Sequence, residues 1–128
     1  MIVDSSAIVA IAFGEDGSAR LIRALAGAER VRVGAPIWLE ASIVLSKRLG
    51  PRLDTFLDGL VRQFRIETIP FDAEHSRAAY EAWARYGRGN SSAGLNFGDC
   101  MSYAIARTAG EPLLFVGRDF SLTDIEAA

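Results

Sequence analysis

The feature that most constrains this chain is the alternation of short apolar runs with longer helical patterns. The strand-like runs are MIV, RVRVGAP, IETIPF and PLLFVG, and each is separated from the next by segments with helical periodicity or capping signals. This alternation is typical of a parallel sheet with helices covering both of its faces. We therefore expect an α/β fold, a three-layer α/β/α sandwich with a central parallel sheet.

The helical segments have recognisable starts and stops. Helices are predicted over SSAIVAIAF, over 15–27, from Pro36 to Gly50, from Pro51 onward, after a cap at Asp72, and from Asn96. A polar loop, GRGNSSAG, precedes the last of these. Because neither an internal repeat nor a linker interrupts the pattern, we expect residues 1–128 to form a single domain.

Several functional classes do not fit the composition. No stretch approaches the ~20 apolar residues that cross a bilayer, and MIVDSS is unlike a signal peptide, so no membrane association is expected. The single cysteine, Cys100, fits a core thiol in the reducing cytoplasm. The only histidine, His75, is interpreted as a surface residue, and no zinc-binding cluster or P-loop is present.

Two acidic residues follow strands of the predicted sheet. Asp4 comes directly after MIV, and Asp119 follows LLFVG within the turn VGRDF. Ligand sites in open α/β sheets lie beyond the carboxyl ends of the strands, which is where both residues are predicted to lie. Each also has an ordinary interpretation, because aspartate is a good helix N-cap and a common turn residue.

Two further acids lie in apolar segments. Glu40 has apolar residues three and four positions away in its helix, so it is expected to point into the protein or a cleft, toward a buried arginine or a bound cation. Asp99 stands three residues after Asn96, as a capping-box acid does, within GLNFGDCMSYAIA. Carboxylates that converge at one sheet edge need a cation, and oxygen ligands favour Mg²⁺ or Mn²⁺. Such a site suits the hydrolysis of phosphate esters.

Five segments in order resemble VapC-type toxins, the PIN-domain ribonucleases of toxin–antitoxin pairs: MIVDSSAIVAI, APIWLEASIVL, IPFDAEHSRAAYEAWARYGRG, LNFGDCMSYAIA and EPLLFVGRDFSLTDI. The resemblance implies a PIN fold, cleavage of RNA (often tRNA or rRNA) with Mg²⁺ or Mn²⁺, a cognate VapB-type antitoxin and a homodimer. By motif, its acidic residues correspond to Asp4, Glu40, Asp99 and Asp119. Arg118 stands where relatives often carry an acid or amide, so Asp124 remains a reserve for the fourth acid.

Surfaces for RNA and for the antitoxin are also predicted. An RNA substrate requires a basic or polar rim around the acids, and the candidates are Lys47, Arg48, Arg85, Arg88, Asn90 and Ser91. The same residues are equally consistent with ordinary solvated side chains. An antitoxin helix is expected in an apolar groove, with walls formed by Leu21, Ile22, Leu25, Phe56 and Leu60 unless these belong to the core.

Two other classes of function remain open at this point. A phosphoaspartyl domain would use Asp4 as its nucleophile, but it expects a lysine after a later strand, and the only lysine is the helical Lys47. A non-catalytic PIN-like module would bind RNA or a partner without cleaving it. The presence of Glu40 together with three aspartates argues against this second alternative.

Overall fold

A computed structural model describes residues 1–128 and contains the predicted parallel sheet flanked by helices. Its four strands lie in the order β3-β2-β1-β4, and every neighbouring pair is parallel. The strands are short: β1 (Ile2–Val3), β2 (Arg32–Gly34), β3 (Glu67–Ile69) and β4 (Leu113–Leu114). The fold prediction is therefore confirmed, although the strands cover only the centres of the apolar runs.

Six α-helices connect and flank the strands. Their bounds are α1 (Ser5–Phe13), α2 (Ser18–Gly27), α3 (Ala35–Leu49), α4 (Leu53–Phe64), α5 (Ala73–Tyr86) and α6 (Phe97–Ala109). Short 3-10 turns occupy Gly50–Arg52 and Asp119–Leu122. None of the helices is long and apolar enough to cross a membrane.

The core consists of 23 clustered buried apolar residues on strands and helices. Leu113 and Leu114 of the edge strand β4 are almost fully buried, as are Ile2 and Val3 of the inner strand β1, because helices cover both faces of the sheet. Helix α6 contributes a nearly continuous buried segment, which includes Cys100, so the interpretation of this thiol as a core residue is confirmed.

The assignment of His75 to the surface is wrong. Only 8 % of the residue is exposed, and its Nδ1 lies 2.8 Å from Oδ1 of Asp72. Asp72 caps α5, as predicted, by accepting hydrogen bonds from the backbone N–H groups of Glu74 and His75. The imidazole lies over the start of its own helix and contacts the ring of Phe71, which a polar segment pattern does not reveal.

Candidate functional site

Asp4 lies at the carboxyl end of β1 and is held by hydroxyl and amide donors. As N-cap of α1, its Oδ2 accepts from the backbone N–H of Ser6 at 2.9 Å and from the Ser6 hydroxyl at 2.5 Å. Its Oδ1 accepts from the hydroxyl of Ser102 at 2.5 Å. The residue is only 4 % exposed, so the predicted capping role is real and the carboxylate is also anchored inside the sheet edge.

Glu40 brings a second carboxylate to the same edge from α3. Its Oε2 atom is buried and has no hydrogen-bond partner, so the alternative of a buried arginine partner is not realised. Burial raises the pKa of Glu40, the nearby Ser5 hydroxyl opposes that rise, and the charge of Asp4 adds to it. An unpartnered buried carboxylate oxygen is unfavourable unless something polar or cationic supplies the missing contact.

Gly98 makes room for the Glu40 carboxylate. A Cβ atom at position 98 would lie 2.7 Å from Oε2 of Glu40, closer than nonbonded atoms approach. The glycine is buried in the first turn of α6, directly before Asp99. Glycine at this position therefore leaves the space that the Glu40 carboxylate occupies beside Asp99.

Asp99 combines a capping role with a place among the acids. Its Oδ2 accepts from the backbone N–H of Asn96 at 2.7 Å, while the side chain of Asn96 accepts from the Asp99 N–H, which confirms the predicted capping box. Burial raises the pKa of Asp99 to about 6, against the hydrogen bond from Asn96. The charges of Asp4, Asp119 and Glu40 contribute to this rise, so the field of the other three acids reaches Asp99.

The two late aspartates have different surroundings. Asp119 is exposed, begins the 3-10 turn after β4, and contributes to the field at Asp99. Asp124 accepts a hydrogen bond from Tyr103 at 2.6 Å, which lowers its pKa, and it pairs with Arg107 at 2.9 Å. Asp124 already has cationic and hydroxyl partners, and of the two aspartates only Asp119 contributes to the raised pKa of Asp99.

The four acids supply oxygen ligands of the type that Mg²⁺ and Mn²⁺ prefer, and the buried Oε2 of Glu40, which accepts no hydrogen bond, fits the role of a cation ligand. In the rotamers described, however, no group of three or more His, Cys, Asp or Glu side chains is spaced to hold a metal ion. The reason is local, because Asp99 is turned toward Asn96 and both oxygens of Asp4 accept from serines. A cation would therefore have to draw these side chains together.

The predicted RNA-contacting residues do not form one uniform rim. Lys47 is exposed near the end of α3, and Arg48 lies 4.4 Å from the centre of the Phe13 ring. Arg85 stacks on Tyr86 and faces Asp124 at 3.4 Å, whereas Arg88 is exposed in the loop that follows. Two loop residues are used internally: Asn90 donates to the carbonyl of Trp83, and Ser91 accepts from the N–H of Ala93.

The site also depends on residues that the sequence reasoning did not single out, namely Gly98, Ser6 and Ser102. Ser102 is the clearest case, because it is a fully buried polar residue in the apolar run CMSYAIA. A lone serine in such a run is a signal that could have been noted, but its partner Asp4 is 98 positions away. Only the three-dimensional structure connects the two.

An apolar surface adjoins the acids, and we call it the α3/α6 face. It is made by Leu39, Ile43 and Val44 of α3 with Phe97 and Met101 of α6, and the exposed fractions reach 63 % for Leu39 and 78 % for Phe97. Ile43 and Val44 were used as evidence that Glu40 points inward. They are in fact exposed, so Glu40 lies at the border between this face and the interior.

Comparisons of the sequence with protein families and with known proteins agree with the fold. The family model for the PIN domain matches residues 1–126. Ribonuclease VapC36 of Mycobacterium tuberculosis is 46 % identical over 127 residues, which cover 98 % of this chain and 91 % of that protein. A ribonuclease VapC from Mycolicibacterium smegmatis is 39 % identical over 127 residues, which cover 99 % of this chain and 98 % of that protein.

Solved structures agree with the fold. The chain superposes on Mycobacterium tuberculosis VapC20, described as a sarcin-ricin loop cleaving toxin, with a TM-score of 0.80 and 19 % identity, covering 99 % of this chain and 97 % of that one. It also superposes on VapBC2 from Rickettsia felis, bound to a promoter DNA fragment, with a TM-score of 0.76 and 16 % identity, over 98 % and 94 % of the two chains. The phosphoaspartyl alternative is therefore wrong, and the chain belongs to the PIN-domain family, as a member of the VapC-type ribonuclease toxins.

Proposed function

We propose that this chain is a metal-dependent endoribonuclease that hydrolyses phosphodiester bonds in RNA, with tRNA or rRNA as its substrate class. The observation that carries the proposal is the buried, unpartnered Oε2 of Glu40 beside an Asp99 whose pKa is raised to about 6. A site that retains so much uncompensated negative charge is suited to a divalent cation. The family membership supports the choice of reaction.

Asp4, Glu40, Asp99 and Asp119 are the residues that would hold Mg²⁺ or Mn²⁺. When bound, the ion lowers the pKa of a water molecule and stabilises charge on the phosphate oxygens. Asp4 is pre-oriented by its serine partners, and Asp99 keeps Oδ1 for the ion while Oδ2 accepts from the N–H of Asn96. Glu40, with a free carboxylate oxygen at the border of the site, orients the attacking water by accepting its hydrogen bond.

RNA must be held against a strongly acidic centre, so cationic side chains are needed around it. We propose Lys47, Arg48 and Arg88 as the main contacts, since all three are exposed. Arg85 would contribute only after partial release from Asp124, while Asn90 and Ser91 would act mainly by shaping the loop. These assignments predict that single substitutions weaken RNA binding without altering metal affinity.

A VapB-type antitoxin and a second copy of the chain are the proposed partners. Of the candidate groove walls, Leu21, Leu25 and Leu60 belong to the core, which is the alternative that the sequence left open, whereas Ile22 is exposed and Phe56 is half-buried. An antitoxin helix would therefore contact the outer sides of α2 and α4. The α3/α6 face is the proposed homodimer surface, because its exposed side chains are almost all apolar.

Cleavage of total tRNA and rRNA by the purified chain tests the proposal. We expect discrete fragments with Mg²⁺ or Mn²⁺, none with EDTA, and none from Asp99→Asn. Sequencing of the fragment ends would identify the target. If the wild type binds RNA but yields no metal-dependent fragments from any of these RNAs, the non-catalytic PIN-like module becomes the better account.

Placement in the cytoplasm and a single domain over 1–128 remain predictions.

A further inference from the structure

Ser102 lies in the middle of α6, in a position that packing alone would assign to alanine. The residue is fully buried, and its neighbours Ala104 and Ala106 are buried alanines of the same helix. Burial of a hydroxyl is unfavourable unless it finds a hydrogen-bond partner. The presence of serine here therefore needs a reason connected with its hydroxyl group.

The hydroxyl of Ser102 is used differently from those of Ser42 and Ser46 in α3. Serine in a helix commonly donates to a carbonyl three or four residues earlier. Ser42 donates to the carbonyl of Trp38, and Ser46 donates to that of Ile43. Ser102 instead donates across the fold to Oδ1 of Asp4, at 2.5 Å.

The bond from Ser102 completes the restraint on the Asp4 carboxylate. Oδ2 already accepts two hydrogen bonds from Ser6, whose hydroxyl oxygen in turn accepts from the N–H of Val116 at 3.0 Å. Oδ1 has Ser102 as its donor and retains a second lone pair. Rotation of the carboxylate would break contacts at both oxygens, so its plane is set by the two serines together.

We propose that Ser102 is a positioning residue that orients Asp4 toward the cation-binding edge and links it to α6, the helix that carries Asp99. Ser102 follows Asp99 by three residues, so the two lie on the same side of the helix. One element thus presents one acid and orients another. The inference rests on the proposed metal-dependent function and adds a residue that acts through Asp4 rather than on the substrate.

Ser102→Ala tests the inference, with Ser42→Ala as the matched control that loses a helical hydroxyl bonded to a carbonyl. The first readout is Mn²⁺ affinity by calorimetry without RNA. Loss of a group that orients a metal ligand lowers affinity about 10–100-fold, and this is the expected result for Ser102→Ala only. With a short RNA substrate, kcat should fall while KM stays within about twofold. Circular dichroism of each variant checks that the fold is retained.

The outcomes separate this inference from the proposed function. If Ser102→Ala binds Mn²⁺ as tightly as the wild type and keeps its kcat, Ser102 serves only packing, and the inference is wrong while the proposed function stands. Equal losses in Ser102→Ala and Ser42→Ala would also overturn it. If the wild type neither binds Mn²⁺ nor cleaves RNA, the proposed function itself has failed.

Discussion

The carboxylates at the two ends of the parallel sheet have opposite surroundings, and their pKa values are shifted in opposite directions. At the end where β1 begins, Glu111 pairs with Arg32 and lies 3.0 Å from the amino group of Met1. Burial alone would raise the pKa of Glu111, but the bonds from these cationic groups outweigh it and the pKa is lowered. At the end where β1 stops, Glu40 has no cationic partner, its Oε2 accepts no hydrogen bond, and its pKa is raised.

The contrast shows that this fold can neutralise a half-buried carboxylate when its function does not require the charge. The amino end of the sheet does so with arginine, whereas the carboxyl end gathers acids and supplies no basic partner to Glu40 or Asp99. Unneutralised acids at the sheet edge where α/β proteins bind ligands favour a functional origin over a structural one.

The largest expected effect distinguishes the two late aspartates. Asp119→Asn should lower kcat/KM for RNA by about 10²-fold or more, because it removes one of the four carboxylates that are proposed to hold the metal ion. Asp124→Asn should change it less than about threefold, because Asp124 is bound by Tyr103 and Arg107. Cleavage assays on the two variants compare them directly. A larger loss of kcat/KM in Asp124→Asn than in Asp119→Asn would instead identify Asp124 as the fourth acid of the site.

Gly98→Ala should impair the site through Glu40. The added methyl group would collide with the Glu40 carboxylate, which is the end of a flexible side chain and would turn out of the site. We expect Mn²⁺ affinity to fall by about tenfold, with a change of less than about 1 kcal/mol in the free energy of unfolding. The control is Gly59→Ala, where a Cβ meets nothing within 4 Å. Equal Mn²⁺ affinity of the two variants would show that the space left by Gly98 is not required for the site.

The metal-free protein should become less stable as pH rises through the acid range. The pKa of Asp99 is about 6 in the folded chain and 3.8 in its unperturbed state, so between these values the folded state holds more protons. The free energy of unfolding therefore falls as pH increases from about 4 to 6 and is then level. Asp99→Asn removes this contribution, and at pH 7.5 it should be more stable than the wild type by about 1–2 kcal/mol.

Urea unfolding at several pH values, in the presence of EDTA, measures this effect. Comparison with Asp99→Asn isolates the contribution of Asp99 from those of Asp72, Asp124 and Glu111, whose pKa values are lowered and whose contributions are lost at more acidic pH. If the metal-free wild type is more stable than Asp99→Asn at pH 7.5, the charge of the Asp99 carboxylate is already balanced by other groups of the protein, and the prediction is wrong.

The smallest predicted effect compares the two sheet ends by equivalent substitutions. Glu40→Gln removes an uncompensated charge and should raise the free energy of unfolding of the metal-free protein by about 0.5–1 kcal/mol. Glu111→Gln removes the charge that pairs with Arg32 and should lower it by about 1 kcal/mol. Parallel urea titrations in EDTA provide the values. Changes of the same sign in both variants would remove the contrast on which the account depends.

Local signals in the sequence predicted much of this molecule. The caps at Asp4, Asp72 and Asn96 depend on residues within three positions of one another, and all three are present. Alternating strands and helices implied that Asp4 and Asp119 would lie at one edge. The predicted position of Glu40 at a cleft also agrees with its buried Oε2.

The remainder depends on contacts between distant parts of the chain. The polar surroundings of His75 in sequence did not reveal its burial at the start of α5. The bond from Ser102 to Asp4 and the approach of Glu40 to Gly98 join elements far apart in sequence. Periodicity does not distinguish an exposed apolar surface from the core, and the apolar neighbours of Glu40, Ile43 and Val44, lie on such a surface.

Calorimetric titration of the metal-free chain with Mn²⁺ at pH 7.5 tests the central claim most directly, with the wild type, Glu40→Gln and Glu111→Gln measured side by side. The account predicts saturable binding by the wild type, unchanged binding by Glu111→Gln, and affinity about tenfold or more weaker for Glu40→Gln. If the wild type shows no binding, or if Glu40→Gln binds as tightly as the wild type, the uncompensated carboxylates do not form a cation site.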